Sequence, residues 1–553
     1  MAYVKPGVEM TQVQQTVSPN LTTPDLGAVV IAPAYVVVPM EGPGSYTYSQ
    51  TFSVSGVTAI TLSGLTQGSM YLDPNSVYID LVKTTGATTG RYHLENSQLT
   101  GLTAGGTNFN IPSATAQIVG SGYNGAQIRV AWRALNTAVN GFYTVQTAHD
   151  LDSIFGNGSG GSYKNPLPFA LSLALQNTTT QVFAVPIYTD ALGSTTITAS
   201  GQQESTEHSR AMTILESQEV YGIAPFTTST PIIQAYTTWV NAQSAATEKH
   251  ERVVFVSPEI TWYDATGAIV AYSASSMDKA TTARNIRDTA AVILDRRTFY
   301  VRPDVAYYSV SNVPVQELRQ STLAKISNTG DIVFAKLAAA ATITNPDGST
   351  TYYPALTDIT DVVFGVLLNS VNQYLFDVYI PLKGCFLTPS IVGQVAGQNP
   401  EQGLTNLPMS GPTLLKFSND FFSESHLNTM AAGGNYLVVN LAGAFASRHQ
   451  LSTNMNSVQE RELSITKSVD FVAKYVRNAL SGYIGRSLIT PGFLSVVGAI
   501  LNGLGGTLIK NGRINGFTVL SVTQDTVNPD TIRVSIQILP KYPVNYIKID
   551  LIF

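Results

Sequence analysis

At 553 residues the chain exceeds one ordinary hydrophobic core, and at roughly 150 residues per domain it calls for three or four. Charged residues make up only 12% where about 25% is usual, while hydrophobic residues hold at 44%, so the surface is built largely from Gly, Ser, Thr, Asn and Gln and suits protein partners. A formal net charge of -5 without any dense Lys and Arg stripe argues against nucleic-acid binding, and the single Cys385 excludes an internal disulfide and weighs against a structural zinc site.

The charge is uneven. Residues 410–553 carry 12 Lys and Arg against 8 Asp and Glu, whereas residues 1–409 carry 19 against 28, so the last part is mildly basic. The opening MAYVKP has no basic region followed by an apolar core, so no secretory signal is expected and synthesis in a cytoplasm follows.

In chain order, residues 1–25 are rich in Gln, Thr and Pro. Pro6, Pro19 and Pro24 leave room only for an extended arm with a short strand. Gly27 to Val38 reads as one buried strand, followed by the turn-rich MEGPGS. From Tyr46 to about Arg133 short alternating runs such as VYIDLV, separated by Gly, Asn and Thr, predict a β-rich domain. Asn96 to Ile128 carries no charge, which fits strands and polar turns better than a catalytic cleft.

From Gly141 to about Lys383 helix and strand signals alternate, predicting an α/β layer. Helices are expected over Ser205 to Glu219, Thr230 to Gln243 and Asp278 to Arg297, the last with Ala283, Ile286, Ala290 and Ile293 on one face. A buried strand is expected within Glu251 to Glu259, and a hairpin turn at Asn345 to Gly348.

After Cys385 comes a Pro- and Gly-punctuated stretch and then a helix over Thr466 to Leu480, with Val469, Val472, Val476 and Leu480 on one face. Ser487 to Ile509 is uncharged and long enough to suggest a membrane span. Pro491, Asn502 and glycines 492, 498, 503, 505 and 506 instead predict a short helix entered at Pro491 and ended by the glycines. Three strand-like runs close the chain: Gly516 to Val522, Thr531 to Leu539, and Asn545 to Phe553, with Ile547, Ile549, Leu551 and Phe553 on one face. Pro540 and Pro543 free the last run from pairing with its predecessor, so that it can reach a neighbour. An extended arm at one end and an apolar strand at the other predict strand exchange between copies.

Catalytic signatures are weak. The six histidines are scattered, with no pair at metal-ligand spacing. Gly156, Gly158 and Gly161 satisfy G-x-G-x-x-G, but they follow a helical segment and not a strand, so they read as a flexible loop. No Gly-Lys-Ser or Gly-Lys-Thr and no G-x-S-x-G occurs. No enzyme activity, cofactor or metal is expected.

Four stretches resemble contractile tail sheath proteins of phages, bacteriocins and related injection systems: YVKPGVEMTQV at Tyr3 to Val13, Val145 to Asn177, TPSIVGQVAGQNPEQGLTNLP at Thr388 to Pro408, and Gly516 to Phe553. The resemblance lies mainly in the first 40 and last 170 residues, and in the middle only in layout. It implies an α+β, multidomain chain: an α/β sheath core with an inserted β-rich domain, and extended N- and C-terminal arms that exchange strands between subunits.

The expected divisions are an arm at 1–25 joining the inner domain, a middle α/β domain at 26–45 and 134–383, the inserted outer β-rich domain at 46–133, an inner C-terminal α+β domain at 384–540, and a strand arm at 541–553. Strand exchange then falls to Tyr3, Val4, Pro6, Gly7, Val8 and Val13 at one end and to Ile547, Ile549, Leu551 and Phe553 at the other. Arg448, Lys467, Lys474, Arg477 and Arg486 are expected to face an acidic tail tube through salt-sensitive contacts. The implied partners are further copies in stacked hexameric rings, the tube protein, and baseplate and tail terminator proteins, with no nucleic acid and no membrane insertion. The implied location is a virion tail assembled in host bacterial cytoplasm. The rival reading is a virion baseplate or adhesin protein whose β-domain binds a glycan, although fibre repeats are missing from the sequence.

Overall fold

The computed structural model describes residues 139–156, 165–187, 204–314 and 374–549, apart from 273 and 546, together with 26–40 and separate strands within 48–135 and 325–368. The arm residues Tyr3, Val4, Pro6, Gly7, Val8 and Val13, and Leu551 and Phe553 at the other end, lie outside the described residues, as do Gly158, Gly161 and the Asn345 turn. The chain divides into two compact units, Asp25–Leu463 and Ser464–Phe553 with Met1–Pro24.

The larger unit is built on a nine-stranded mixed sheet. Its centre is parallel: Val182–Ile187, Ala28–Pro33, Gly222–Pro225, Val253–Val256, Thr298–Arg302 and Asn435–Leu441 lie in that order. Antiparallel strands close both sides, Tyr143–Val145 at one and Ala444–His449 with Pro408–Met409 at the other. Runs such as VVIA and VVFV are buried on both faces, as expected of parallel strands covered by helices. On one face Val29, Ile31 and Val254 pack with Ala211 and Leu215 of helix Glu204–Glu216 and with Ile233 and Tyr236 of helix Thr230–Gln243. On the other, helix Thr388–Gly397 lies against the sheet with Val392 and Val395 over Gly222, where a Cβ would sit in ordinary contact 3.5 Å from Val392 Cβ.

Local signals explain where helices begin. Asp278 caps helix Lys279–Ala291 by accepting from Thr281 N at 2.7 Å. Thr147 and Asp150 form a reciprocal capping box at Ala148–Phe155, with Thr147 N donating to Asp150 Oδ2 at 2.8 Å. The helices expected near Ser205 and over Thr230 to Gln243, the strand within Glu251 to Glu259, and the β-rich character of Tyr46 to Arg133 are all present.

Four expectations need correction. Gly27 to Val38 is two strands, Ala28–Pro33 and Tyr35–Met40, which join different sheets on either side of Ala34. The Asp278 helix stops at Ala291, with Leu294 in the left-handed region at φ 50. Between Val305 and Lys383 the described residues supply strands, and Val305–Pro314 pairs with Tyr374–Lys383 in a four-stranded antiparallel sheet.

The β-rich layer is also wider than 46–133. Its eight-stranded sheet takes in Tyr35–Met40 and the hairpin Ala341–Thr344 with Thr350–Tyr353, through Tyr352 beside Tyr92. Finally, residues 384–463, expected with the C-terminal domain, belong to the larger unit. Asn435–Leu441 pairs in parallel with Thr298–Arg302, a contact between segments more than a hundred residues apart that no local pattern encodes.

Candidate assembly surface

The smaller unit holds the described part of the expected exchange site. Helix Leu463–Ser481 extends the predicted one at both ends. Its buried side chains include Phe471, Val472, Tyr475 and Ala479, with the Phe471 and Tyr475 rings stacked at 5.9 Å. The aromatic positions, not Val469 and Val476, therefore set the buried stripe.

The second helix is Pro491–Lys510, capped by Thr490, whose hydroxyl accepts from Phe493 N at 3.1 Å. It runs straight through the glycines expected to end it. Val497, Leu501, Leu504 and Leu508 recur at three- and four-residue spacing and are buried. Gly505 completes this face because the ring of Phe517 occupies the place its side chain would take. The helix stops instead at Asn511, followed by Gly512 at φ 69. By length and composition it is one helix among the described residues that could cross a membrane, with 28% of its apolar window buried.

Phe517 belongs to a hairpin, Gly516–Gln524 with Ile532–Leu539. Cross-strand pairs Phe517 with Ile538, Val519 with Ile536, and Val522 with Val534 place apolar groups on the helix-facing side. Val519 and Val522 are three residues apart and would fall on opposite faces of a regular strand. The irregularity at Leu520 restores them to one face and leaves Leu520 itself exposed.

Asp525 closes the loop, accepting from Val527 N at 2.7 Å and Asn528 N at 3.0 Å and pairing with Arg533. The Asn528 N–H first, and the Arg533 guanidinium next, hold its carboxyl down at about 2.

Among the described residues neither outer edge of this hairpin is paired. Beyond it the described residues of the expected third strand make no ladder: 541–545 and 547–549 carry no strand assignment, and Val544, Ile547 and Ile549 are 80%, 79% and 75% exposed. Burying an isoleucine is worth about 1.5–3 kcal/mol, so these side chains and the open edges hold several kcal/mol of unused association energy.

The five basic residues expected at a tube do not gather into one exposed patch. Lys467 and Lys474 are buried, at 1% and 6% exposure. Arg448 lies in the larger unit on strand Ala444–His449, where it pairs with Glu424 and Asn428. Arg477 is half-buried, and Arg486 is exposed in the linker between the two helices. Beside it stand Ile484 and Leu488, 79% and 84% exposed, which the helix reading of the sequence passed over. Their signal was apolar residues in a Gly- and Ser-containing linker.

Elsewhere, the described residues contain no group of three His, Cys, Asp or Glu able to hold a metal ion. Cys385 is buried, and burial pushes its thiol up to about 12, so it is no nucleophile at neutral pH.

No protein-family model matches the chain, and no curated protein matches it. Among solved structures it is similar to the contracted helical sheath of the anti-feeding prophage at 9% identity and a TM-score of 0.45, over 76% of this chain and 90% of that one. It is also similar to the contracted PVC sheath complex of an extracellular contractile injection system at 10% identity and a TM-score of 0.44, over 75% and 88%. A sheath tail protein from Desulfitobacterium hafniense matches at 10% identity and a TM-score of 0.38, over 94% and 98%. These neighbours are contractile sheath structures.

Proposed function

We propose that the chain is the structural subunit of a contractile tail sheath, polymerising as stacked rings around a tail tube and contracting to drive the tube through a host cell envelope. The observation that carries this reading is the closing hairpin, whose two outer edges are unpaired among the described residues, followed by the exposed apolar side chains of Val544, Ile547 and Ile549. A two-stranded sheet is marginal alone in water, and a helix covers only one of its faces. Its edges are templates for two further strands.

The strands assigned to them are the arm around Tyr3 to Val13 of one neighbouring copy and the closing segment, Ile547 to Phe553, of another. Main-chain pairing tolerates rotation, so such links act as hinges while rings turn and compress from a metastable lattice to one with more buried contact. No nucleotide is consumed. The partners are other copies in hexameric rings, a tube, and baseplate and terminator proteins, in a virion tail assembled in the host cytoplasm. Of the basic residues first assigned to the tube, Arg486 remains the exposed one.

Electron microscopy of the purified chain tests the reading. Hollow helical polymers are expected from the full chain, and a soluble, unpolymerised protein from one lacking Met1 to Asn20. Normal tubes from the truncated chain would overturn strand exchange; a compact monomer or trimer from the full chain would overturn the sheath.

A further inference from the structure

Two segments marked in the sequence, Val145 to Asn177 and Thr388 to Pro408, meet in the larger unit. Helices Pro166–Leu175 and Thr388–Gly397 lie side by side and run the same way. A Cβ on Gly393 would meet Ala174 O at 2.3 Å, and one on Gly397 would meet Asn177 O at 2.9 Å and Thr178 Cα at 3.0 Å. Glycines four apart on one helical face permit that approach, and the two C-terminal ends finish together.

At that point lies a cavity of about 260 Å³, lined by Gln176 to Thr179, Gln394, Gly397, Gln398, Leu407, Pro408 and Ser410, with no charged side chain. The last four carbonyls of a helix lack intrahelical partners, and each helix end carries about half a negative charge, so two such ends make the site attractive to cations. Part of this demand is met: Gln176 N donates to Ser172 O at 3.1 Å, Asn177 N to Ala174 O at 3.0 Å and Gln398 N to Gln394 O at 3.1 Å, while Asn177 Nδ2 donates to Leu173 O at 2.8 Å and to Ser410 O at 2.9 Å and its Oδ1 accepts from Ser410 N at 2.9 Å. Gln394 is 2% exposed. Its Nε2 donates to Pro408 O at 2.8 Å, and its Oε1 has no donor. A buried acceptor in that condition costs about 1–3 kcal/mol until a donor reaches it.

We propose that this cavity binds a positively charged group rich in N–H donors, a guanidinium or an ammonium, between the two helix ends and the Gln394 amide oxygen. An anion would meet two negative helix ends, and a neutral group would gain little from them. The cation comes either from a Lys or Arg side chain of another copy, a source that rests on the assembly reading, or from a free polyamine.

Titration calorimetry of the full chain with N-acetyl-arginine amide and with spermidine, against N-acetyl-citrulline amide, tests this. Citrulline keeps the shape of arginine without its charge. Saturable binding of a cation about tenfold tighter than citrulline amide is expected. Thr179→Lys adds a like charge at an exposed position of the lining and should weaken cation binding about tenfold with an unchanged melting temperature.

Should Thr179→Lys fail to fold, Gln398→Glu carries the test and should tighten binding. No saturable cation binding, equal binding of citrulline amide, or affinity indifferent to these substitutions would overturn the site. Cation binding by the dispersed chain that is lost in the polymer identifies a neighbour's side chain; spermidine binding equal in both identifies a free polyamine. Failure of the chain to polymerise would remove only the first source.

Discussion

Gly505 lacks a side chain where Phe517 fills the space one would take: an added Cβ would lie 2.3 Å from the ring. Gly506, its neighbour, would meet nothing within 4 Å. The two glycines should therefore respond with opposite signs. Gly505→Val is expected to destabilise by about 1–3 kcal/mol through overpacking. Gly506→Ala should stabilise by about 0.5–1 kcal/mol because an exposed helical glycine pays backbone entropy. Urea midpoints of the full chain measure both, and equal effects would refute the contact. Asp525 offers a second residue-level test. Its folded pKa of about 2 lies below the unfolded value of about 3.9, so its stabilisation is complete above that value and disappears as pH falls toward 2. Between pH 5 and 2 the urea midpoint of the parent should drop further than that of Asp525→Asn, which has no carboxylate to protonate.

The closing hairpin and the tail after it separate folding from association. Ile547 and Ile549 contribute almost nothing to the fold of one chain, at 79% and 75% exposure, yet they occupy alternate positions suited to a strand face. Replacing both with Asp should leave circular dichroism and melting temperature unchanged while raising the critical concentration for polymers at least about a hundredfold, from about 1.5–3 kcal/mol lost per isoleucine. Pelleting assays read this directly; unchanged pelleting would remove the tail from the interface.

How much of these elements was legible depends on range. Thr230–Gln243 was readable to its ends because Ser229 and Pro231 mark its start and its apolar residues follow a helical period. The hairpin strands were readable from alternation, but not the irregularity at Leu520, which a regular period misplaces by one residue. Asn435–Leu441 carries the apolar run NYLVVNL, but nothing local names Thr298–Arg302 as its partner, since parallel pairing is chosen by packing that forms only in the folded chain. The glycines of Pro491–Lys510 look like a terminator in sequence, and only the position of Phe517 shows that one of them is a contact. Lys467 and Lys474 misled for a related reason: a charge on a helix is read as solvated until its surroundings are known.

For the molecule as a whole, 12% charged residues and a net charge of -5 leave little electrostatic repulsion to overcome and little attraction to exploit. If copies associate through strand pairing and the burial of side chains such as Leu520, Leu539 and Ile547, the driving force is the removal of apolar surface from water, and its temperature dependence follows. Hydrophobic association is mainly entropic near room temperature and weakens on cooling, whereas exposed ion pairs respond chiefly to ionic strength. The critical concentration for polymers should therefore rise between 25 and about 4 °C, and fall when sulfate is added. It should change by less than about threefold as sodium chloride goes from roughly 0.05 to 0.5 M, a range over which the screening length shrinks from about 14 to about 4 Å. Sedimentation across that grid separates the two terms. A critical concentration insensitive to cooling but steeply dependent on sodium chloride would place the association energy in ion pairs, and the open hairpin edges would then be the wrong surface.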